Sequence, residues 1–387
     1  MDETWWAGLK ELDDAQKDII GLPLDASVLM TGPPGSGKSN LLLLRAKRLT
    51  LSGCHDYQVI VFTRALQDFL RSGVNQYGVP TDRVQTSWGW ALKLLREYDV
   101  QPRLEGDFDS QRRALLHEIK ELTARRRIAK LFNTILLDEA QDYLPEEIEI
   151  FGSLAKHLSV AADSRQKIYG GTESLQLIRG AVDHAVALEH HYRNGIAICR
   201  TADALASVYS DHLPLVATSN YNETLFPSSV SILECKSLEA QCTDAISRIQ
   251  TQLRAYPHAV VGVLCALRAD ADAVFGHFNS SPLRGQIFKG SEKDTLFGVG
   301  SRRVYIGTIH SAKGLEFRAV HLMAAENIAK MGRHSRHLAY VAVTRARTSL
   351  NAYHTKPMSS FLQAALAEGG LPIAIAPVDD SLFGGTQ

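Results

Sequence analysis

Apolar residues in this chain fall into short continuous runs, separated by longer stretches where they are spaced as on one face of a helix. Residues 26–31, Ala-Ser-Val-Leu-Met-Thr, are such a run, and they end in glycines and prolines. After Lys38 comes Ser-Asn-Leu-Leu-Leu-Leu-Arg-Ala-Lys-Arg-Leu, rich in strong helix formers, so the pattern predicts strand, glycine loop, helix. Further strands are predicted at Gln58–Thr63 and Thr134–Leu137, with a weaker one at Leu158–Ala162. Strands that alternate with helical patterns imply a parallel sheet covered by helices.

The pattern then restarts. Val230–Cys235, Ala259–Cys265, Arg303–Thr308 and Val320–Met323 read as strands, and 237–255 and 268–278 as helices. Tyr, Ser, Pro and Asn cluster over 207–228, which places the division between residues 1–207 and 208–387. The first unit carries a small helical insertion at about 90–130. The tail from about Gly369 holds Gly, Pro and small apolar residues and reads as a loosely docked terminus.

Composition narrows the class. A chain of 387 residues with 45% hydrophobic and 22% charged residues is globular, and long enough for two cores. No apolar run approaches the ~18–20 residues of a membrane span. The acidic start, Met-Asp-Glu-Thr-Trp-Trp, lacks the layout of a signal peptide. Five scattered cysteines without a CxxC argue against disulfides or zinc and fit a reducing cytoplasm. Lys+Arg and Asp+Glu balance at 42 each, so nucleic-acid binding has to come from local features rather than bulk charge.

Two motifs carry chemistry. Gly32-Pro33-Pro34-Gly35-Ser36-Gly37-Lys38-Ser39 fits G-x-x-x-x-G-K-[ST], with Asn40 directly behind it. Its glycines let successive backbone N–H groups point at phosphate oxygens; Lys38 would reach the β/γ-phosphates and Ser39 would hold Mg²⁺. Asp138 and Glu139 follow an apolar strand. Asp138 suits Mg²⁺, and Glu139 can polarise the water that attacks the γ-phosphate.

Asp138-Glu-Ala-Gln-Asp142, Thr308-Ile-His310-Ser-Ala-Lys313-Gly314-Leu-Glu316-Phe317 and Tyr340-Val-Ala-Val-Thr344-Arg345-Ala346 follow the phosphate loop in that order. Together they resemble the UvrD/Rep/PcrA branch of superfamily 1 helicases, from about residue 12 to 350. The resemblance implies two RecA-like P-loop NTPase domains with parallel sheets and an ATP cleft between them. It makes Gln16 the reader of the adenine edge, Gln166 a γ-phosphate sensor, and Arg193 and Arg345 cations on that phosphate. Gly314 would line the nucleotide and Glu316 would bond the ribose. Two guanidiniums converging on a transferring phosphoryl group stabilise its spread charge. For nucleic acid the resemblance points to Thr63, Arg64, Thr86 and Trp88, and to Thr308 and His310 from the second domain. Trp88 and Trp90 are equally readable as core, and Arg125-Arg126-Arg127 with Lys130 as a solvated helix edge.

Two departures qualify the likeness. Ile168-Tyr169-Gly170-Gly171 lacks the family's base-stacking aromatic. Only 49 residues separate Trp88 from Asp138, and 114 separate Arg193 from Thr308, which leaves no room for the large inserted subdomains. The expectation is therefore an ATP- and Mg²⁺-dependent helicase or single-stranded DNA translocase, 3′ to 5′ by resemblance, that unwinds only with a protein partner or by self-association. A nucleotide-dependent regulatory subunit of a DNA repair or phage-defence nuclease complex is the alternative. A P-loop kinase leaves 308–317 and 340–346 without purpose.

Overall fold

The computed structural model describes residues 8–163, 172–209, 214–290 and 302–372. The first unit contains strands β1 (Val28–Thr31), β2 (Tyr57–Val61), β3 (Val84–Thr86), β4 (Phe132–Leu137), β5 (Ala155–Ala162) and β6 (His184–Ala187). They form one parallel sheet in the order β3-β2-β4-β5-β1-β6. Helices α1 (Asp14–Gly21), α2 (Lys38–Leu51) and α3 (Arg64–Tyr77) belong to one face; α4 (Ser87–Glu97), α5 (Phe108–Arg126) and α6 (Pro145–Leu154) belong to the other, and α7 (Thr172–Ala181) precedes β6. Every residue of β1 and β2 is buried, as a strand covered on both faces requires.

The second unit repeats the plan. Strands β7 (Ser229–Glu234), β8 (Val261–Cys265), β9 (Ile287–Lys289), β10 (Val304–Thr308), β11 (Phe317–Met323) and β12 (Ala346–His354) are ordered β7-β12-β11-β8-β10-β9, again all parallel. Helices α9 (Leu238–Ala255) and α10 (Arg268–Asn279) cover one face. The other face is covered by α8 (Ile196–Ala206), α11 (Ser335–Thr344) and α12 (Ser360–Gly369), which pack on one another. So α8 lies with the second sheet although its sequence precedes the 207–228 stretch. One apolar cluster runs without a break from Leu41 and Leu66 of the first unit to Leu315, Val320 and Leu362 of the second.

All eight predicted strands are present. β3, β6, β9 and β12 are additional. Two of them have three residues each, β6 is half-exposed, and β12 carries Arg, Thr, Ser and Asn within Ala346–His354. α4 and α5 lie between β3 and β4. Among the described residues no helix is long and apolar enough to cross a membrane.

Candidate functional site

The loop between β1 and α2 is built by its glycines. Gly35 and Gly37 lie at φ +83° and +85°, the left-handed region that side chains resist. A Cβ on Gly35 would also sit 2.4 Å from that of Arg193. Gly37 is the N-cap of α2 and has no side chain to bond the first-turn N–H groups, which leaves those donors and the helix dipole for an anion. Lys38 donates to the carbonyls of Gly32 and Pro33, both at 2.8 Å. Burial pulls its ammonium below the ordinary lysine value, against the opposing pull of Asp163 and Glu139. Gln16 is fixed by a reciprocal cap with Asp13 at the start of α1, and its amide donates to the Ser36 carbonyl at 3.0 Å. It therefore lies against the phosphate loop and is buried, not an exposed helix glutamine. Asn40, also buried, accepts from the Tyr77 hydroxyl.

Asp138 continues β4 by one residue, its N–H bonding the Ile60 carbonyl at 3.1 Å. Glu139 then turns the chain at φ 51° into a short 3-10 turn over Ala140–Asp142. Asp138 is 2% exposed; its Oδ1 accepts the Glu139 N–H at 3.0 Å, while its buried Oδ2 has no hydrogen-bond partner. Burial, helped by Glu139, pushes the Asp138 carboxyl up to about 7, with hydrogen bonding from Ser39 pulling the other way. A buried carboxylate oxygen without a partner, beside a serine hydroxyl, is the donor chemistry a hard divalent cation requires, so Ser39 and Asp138 fit Mg²⁺. No cluster of three or more His, Cys, Asp or Glu side chains suited to a metal occurs among the described residues.

Burial also pushes Glu139 up, but Lys313, Arg345 and Lys38 outweigh it and hold the carboxyl below its ordinary value. Two of those three cations come from the second unit. Lys313 forms an ion pair with Asp142 across the cleft, and Gly314, at φ +84°, packs on Leu66 of α3. Arg345, 2% exposed at the end of α11, is aimed by the carbonyls of Val341 (3.2 Å) and Leu315 (3.1 Å). Arg193 pairs with Glu316. Burial, then repulsion from Arg345, pulls the Arg193 guanidinium well below its ordinary value. Buried cations that repel one another are a site for a polyanion.

The segment before α8 joins the two sides. Leu188 N–H bonds Thr31 (2.7 Å) and Tyr192 N–H bonds Gly35 (3.1 Å), both in the first unit. Gly195 N–H bonds Arg347 (2.8 Å), and the Asn194 amide donates to the Thr344 carbonyl at 3.2 Å, both in the second.

Lys38, Ser39, Asp138, Glu139, Arg193 and Arg345 thus converge, with Gln16 against the phosphate loop; Glu316 joins them through Arg193. Gln166 lies outside the described residues, as does Gly171. The proposed nucleic-acid contacts are placed differently. Thr63 and Thr86 cap α3 and α4, accepting from Leu66 N–H (3.2 Å) and Gly89 N–H (3.0 Å). Arg64 and Trp88 line a cavity beside α4. Trp90 is core, tilted on Phe132 and Phe151, whereas Trp88 is half-buried. Thr308 bonds Ser311 at the end of β10, and His310 is exposed.

Sequence reasoning gave no role to Lys313 or Asp142, although both stand in the quoted motifs. It also missed Arg112 of α5, which pairs with Glu147, donates to the Asp142 carbonyl at 2.9 Å and lies 4.9 Å above the Phe62 ring. Nothing in the sequence around Arg112 signals that placement.

Residues 303–353, β10 through most of β12, match the family described as the UvrD-like helicase C-terminal domain. The sequence likeness to UvrD-like helicases is therefore shown, and it resides in the second unit. A structure of Mss116p (NTE and C-tail double deletion) bound to ssRNA and AMP-PNP is similar over 95% of this chain and 77% of its own, at 12% identity and TM-score 0.51. That likeness establishes the fold as two RecA-like α/β domains. The C-terminal domain of a possible DNA helicase from Lactobacillus plantarum WCFS1 is similar over 44% of this chain and 91% of its own (19% identity, TM-score 0.32). The helicase of PRRSV covers 87% and 54% (17%, 0.40). No curated protein matches the sequence.

Proposed function

We propose that this chain is an ATP-dependent DNA helicase or single-stranded DNA translocase of the UvrD-like type, running 3′ to 5′ if it follows the family. The observation that carries the reading is the position of Glu139, whose carboxylate faces Lys38 from its own unit and Arg345 and Lys313 from the other. A base held ionised by cations from two domains works only when both domains are in place, which ties hydrolysis to their relative movement. Ser39 and Asp138 would hold Mg²⁺, which supplies charge neutralisation on the phosphates. Glu139 would orient and deprotonate the attacking water, Arg193 and Arg345 would receive the developing charge, and Gln16 would read the base.

A second reading is a nucleotide-dependent regulatory subunit of a repair or phage-defence nuclease complex. It is favoured by the described connections: α4 and α5 alone join β3 to β4, and no described element between α8 and β10 departs from the second sheet and its covering helices. In either reading a partner or a second copy provides what the missing subdomains would. The cytoplasm and a division near residue 207 remain part of the proposal. The packing of α8 on the second sheet supports moving that division back to the segment around His191–Gly195.

The test is the Mg²⁺-dependent ATPase rate of the purified chain without nucleic acid, with single-stranded DNA and with RNA, followed by strand displacement on a 3′-tailed duplex. DNA-stimulated hydrolysis without displacement is expected of the isolated chain. Hydrolysis indifferent to any nucleic acid would favour the regulatory reading. Absence of hydrolysis would sink both.

A further inference from the structure

Most basic residues of α5 face water: Arg113, Lys120, Arg125 and Arg126 are exposed. Lys120 and Arg125 form exposed pairs with Glu149 and Glu121, each at 3.1 Å, of a kind that contributes little. Arg112 turns inward instead. Its side chain is 12% exposed and that of its partner Glu147 5%. The guanidinium forks onto the Glu147 carboxylate, with Nε donating at 3.2 Å, and Nη2 also donates to the Asp142 carbonyl at 2.9 Å. The same group lies 4.9 Å above the ring of Phe62, just past β2. Glu147 is fixed in turn, because it accepts the Leu144 N–H at 2.8 Å and so caps α6.

The carbonyl that Arg112 holds belongs to the turn that shapes the hydrolytic carboxylate. Glu139 opens this turn at φ 51°, a conformation that a residue with a side chain keeps only where its surroundings enforce it. Two residues on, the Gln141 amide donates to the Glu139 carboxylate, and its oxygen accepts the Asp163 N–H at 3.0 Å. Asp142 closes the turn, with its carboxylate on Lys313 of the second unit. Docking α5 on α6 requires only Glu147, and Lys120 already ties the two helices; the bond to the Asp142 carbonyl serves the turn. We propose that Arg112 is a positioning residue for ATP hydrolysis: by holding the Ala140–Asp142 turn it sets where Gln141 places the Glu139 carboxylate and where Asp142 meets Lys313. The inference rests on the hydrolase reading above and adds to it a control that lies outside the motifs. An arginine's planar fork meets carboxylate and carbonyl at once, whereas an ammonium has no such fixed plane. Through Arg112, a displacement of α5 is passed to Glu139 without any contact between that helix and the nucleotide.

The experiment measures kcat and KM for ATP, together with the melting temperature, on the whole chain. Arg112→Lys keeps the charge opposite Glu147 but loses the fork. It should lower kcat by about 10- to 100-fold, as expected of a misplaced reacting group, with KM and melting temperature near wild type. Because the loss acts through Glu139, Arg112→Lys should cost nothing further in a Glu139→Gln background, measured as single-turnover hydrolysis. A merely structural arginine would give additive losses there, or a lower melting temperature with turnover per folded molecule intact. Arg112→Leu combined with Glu147→Gln removes both charges and keeps an acceptor for the Leu144 N–H, so it decides the matter if Arg112→Lys does not fold. It should show the same loss of kcat. Wild-type kcat in either variant, or a further loss on top of Glu139→Gln, overturns the positioning role while the hydrolase reading stands. A wild-type chain that hydrolyses nothing removes the hydrolase reading and the positioning role together.

Discussion

The two sheets make the same moves with different side chains. β1 and β8 both end in a short loop that opens a helix, α2 in one case and α10 in the other. The first loop is Gly32–Gly37; the second is only Ala266-Leu267, and Leu267 is its N-cap. β4 and β11 both pass into a left-handed residue and then a 3-10 turn. That residue is Glu139 at φ 51° in the first unit and Ala324 at φ 46° in the second. One backbone plan thus carries a phosphate loop and a carboxylate pair once, and apolar residues the other time. The fold provides the carboxyl-edge platform, and the side chains grafted on it provide the function. The second unit contributes from elsewhere, through Lys313 and Arg345. Neither sheet alone has a complete site.

That asymmetry can be broken from its stronger side first. Glu139→Gln should lower ATP turnover by about 10²- to 10⁴-fold, the usual worth of a general base, with nucleotide still bound. Wild-type turnover in steady-state assays would remove Glu139 from the role. Arg345→Ala removes the second unit's reach and should cost about 10²-fold in kcat with a smaller change in KM, as for charge stabilisation concentrated in the transition state. Equal losses of affinity and rate would make it a ground-state anchor. Lys313→Ala leaves Asp142 buried and uncompensated, and should cost about 10-fold, or ~1.4 kcal/mol. Adding Asp142→Asn to it should recover part of that loss, because the bare carboxylate is then gone. A double variant as impaired as the sum of the singles would show that the two side chains act independently.

A separate effect is on stability rather than rate. Asp138 keeps its proton to about 7 in the native state, against 3.8 for the ordinary side chain. Between those values the native protein binds more protons than the unfolded chain, so this group's contribution to stability falls as pH rises, and the whole penalty is present above about 7. Asp138→Asn should therefore melt higher than wild type at pH 8 without Mg²⁺ or nucleotide, and the gap should close towards pH 4. A gap constant across that range in thermal melts would mean that Asp138 ionises as freely in the native state as in the unfolded one. Met323 and Ala324, at the matching positions of the second unit, have no charge and add no such pH dependence.

What was legible in the sequence follows from what local residues determine. β1, β2 and β8 are continuous apolar runs, and a run buried on both faces announces itself. β3 and β9 are three residues long, and β12 carries Arg, Thr, Ser and Asn along a largely buried path, so tertiary pairing rather than local pattern makes them strands. The phosphate loop was readable because Gly35 and Gly37 are required by backbone geometry at fixed spacing. The pairing of Arg193 with Glu316 joins residues more than a hundred positions apart, and no local pattern contains it. Arg112 is harder still. It is one of several arginines and lysines on α5, and only the folded path of α6 brings Glu147 and Asp142 to it.

α8 has a consequence for anyone who would take the molecule apart. By sequence it trails the first unit, yet it is sandwiched with α11 and α12 over the second sheet. A gene cut after Ala206 would strand that helix on the wrong fragment and leave the other with a raw greasy flank. A cut between Glu189 and His190 gives each piece a full set of walls. Pieces made that way are the pair to use for complementation, with ATP supplied as the molecule that asks them to meet.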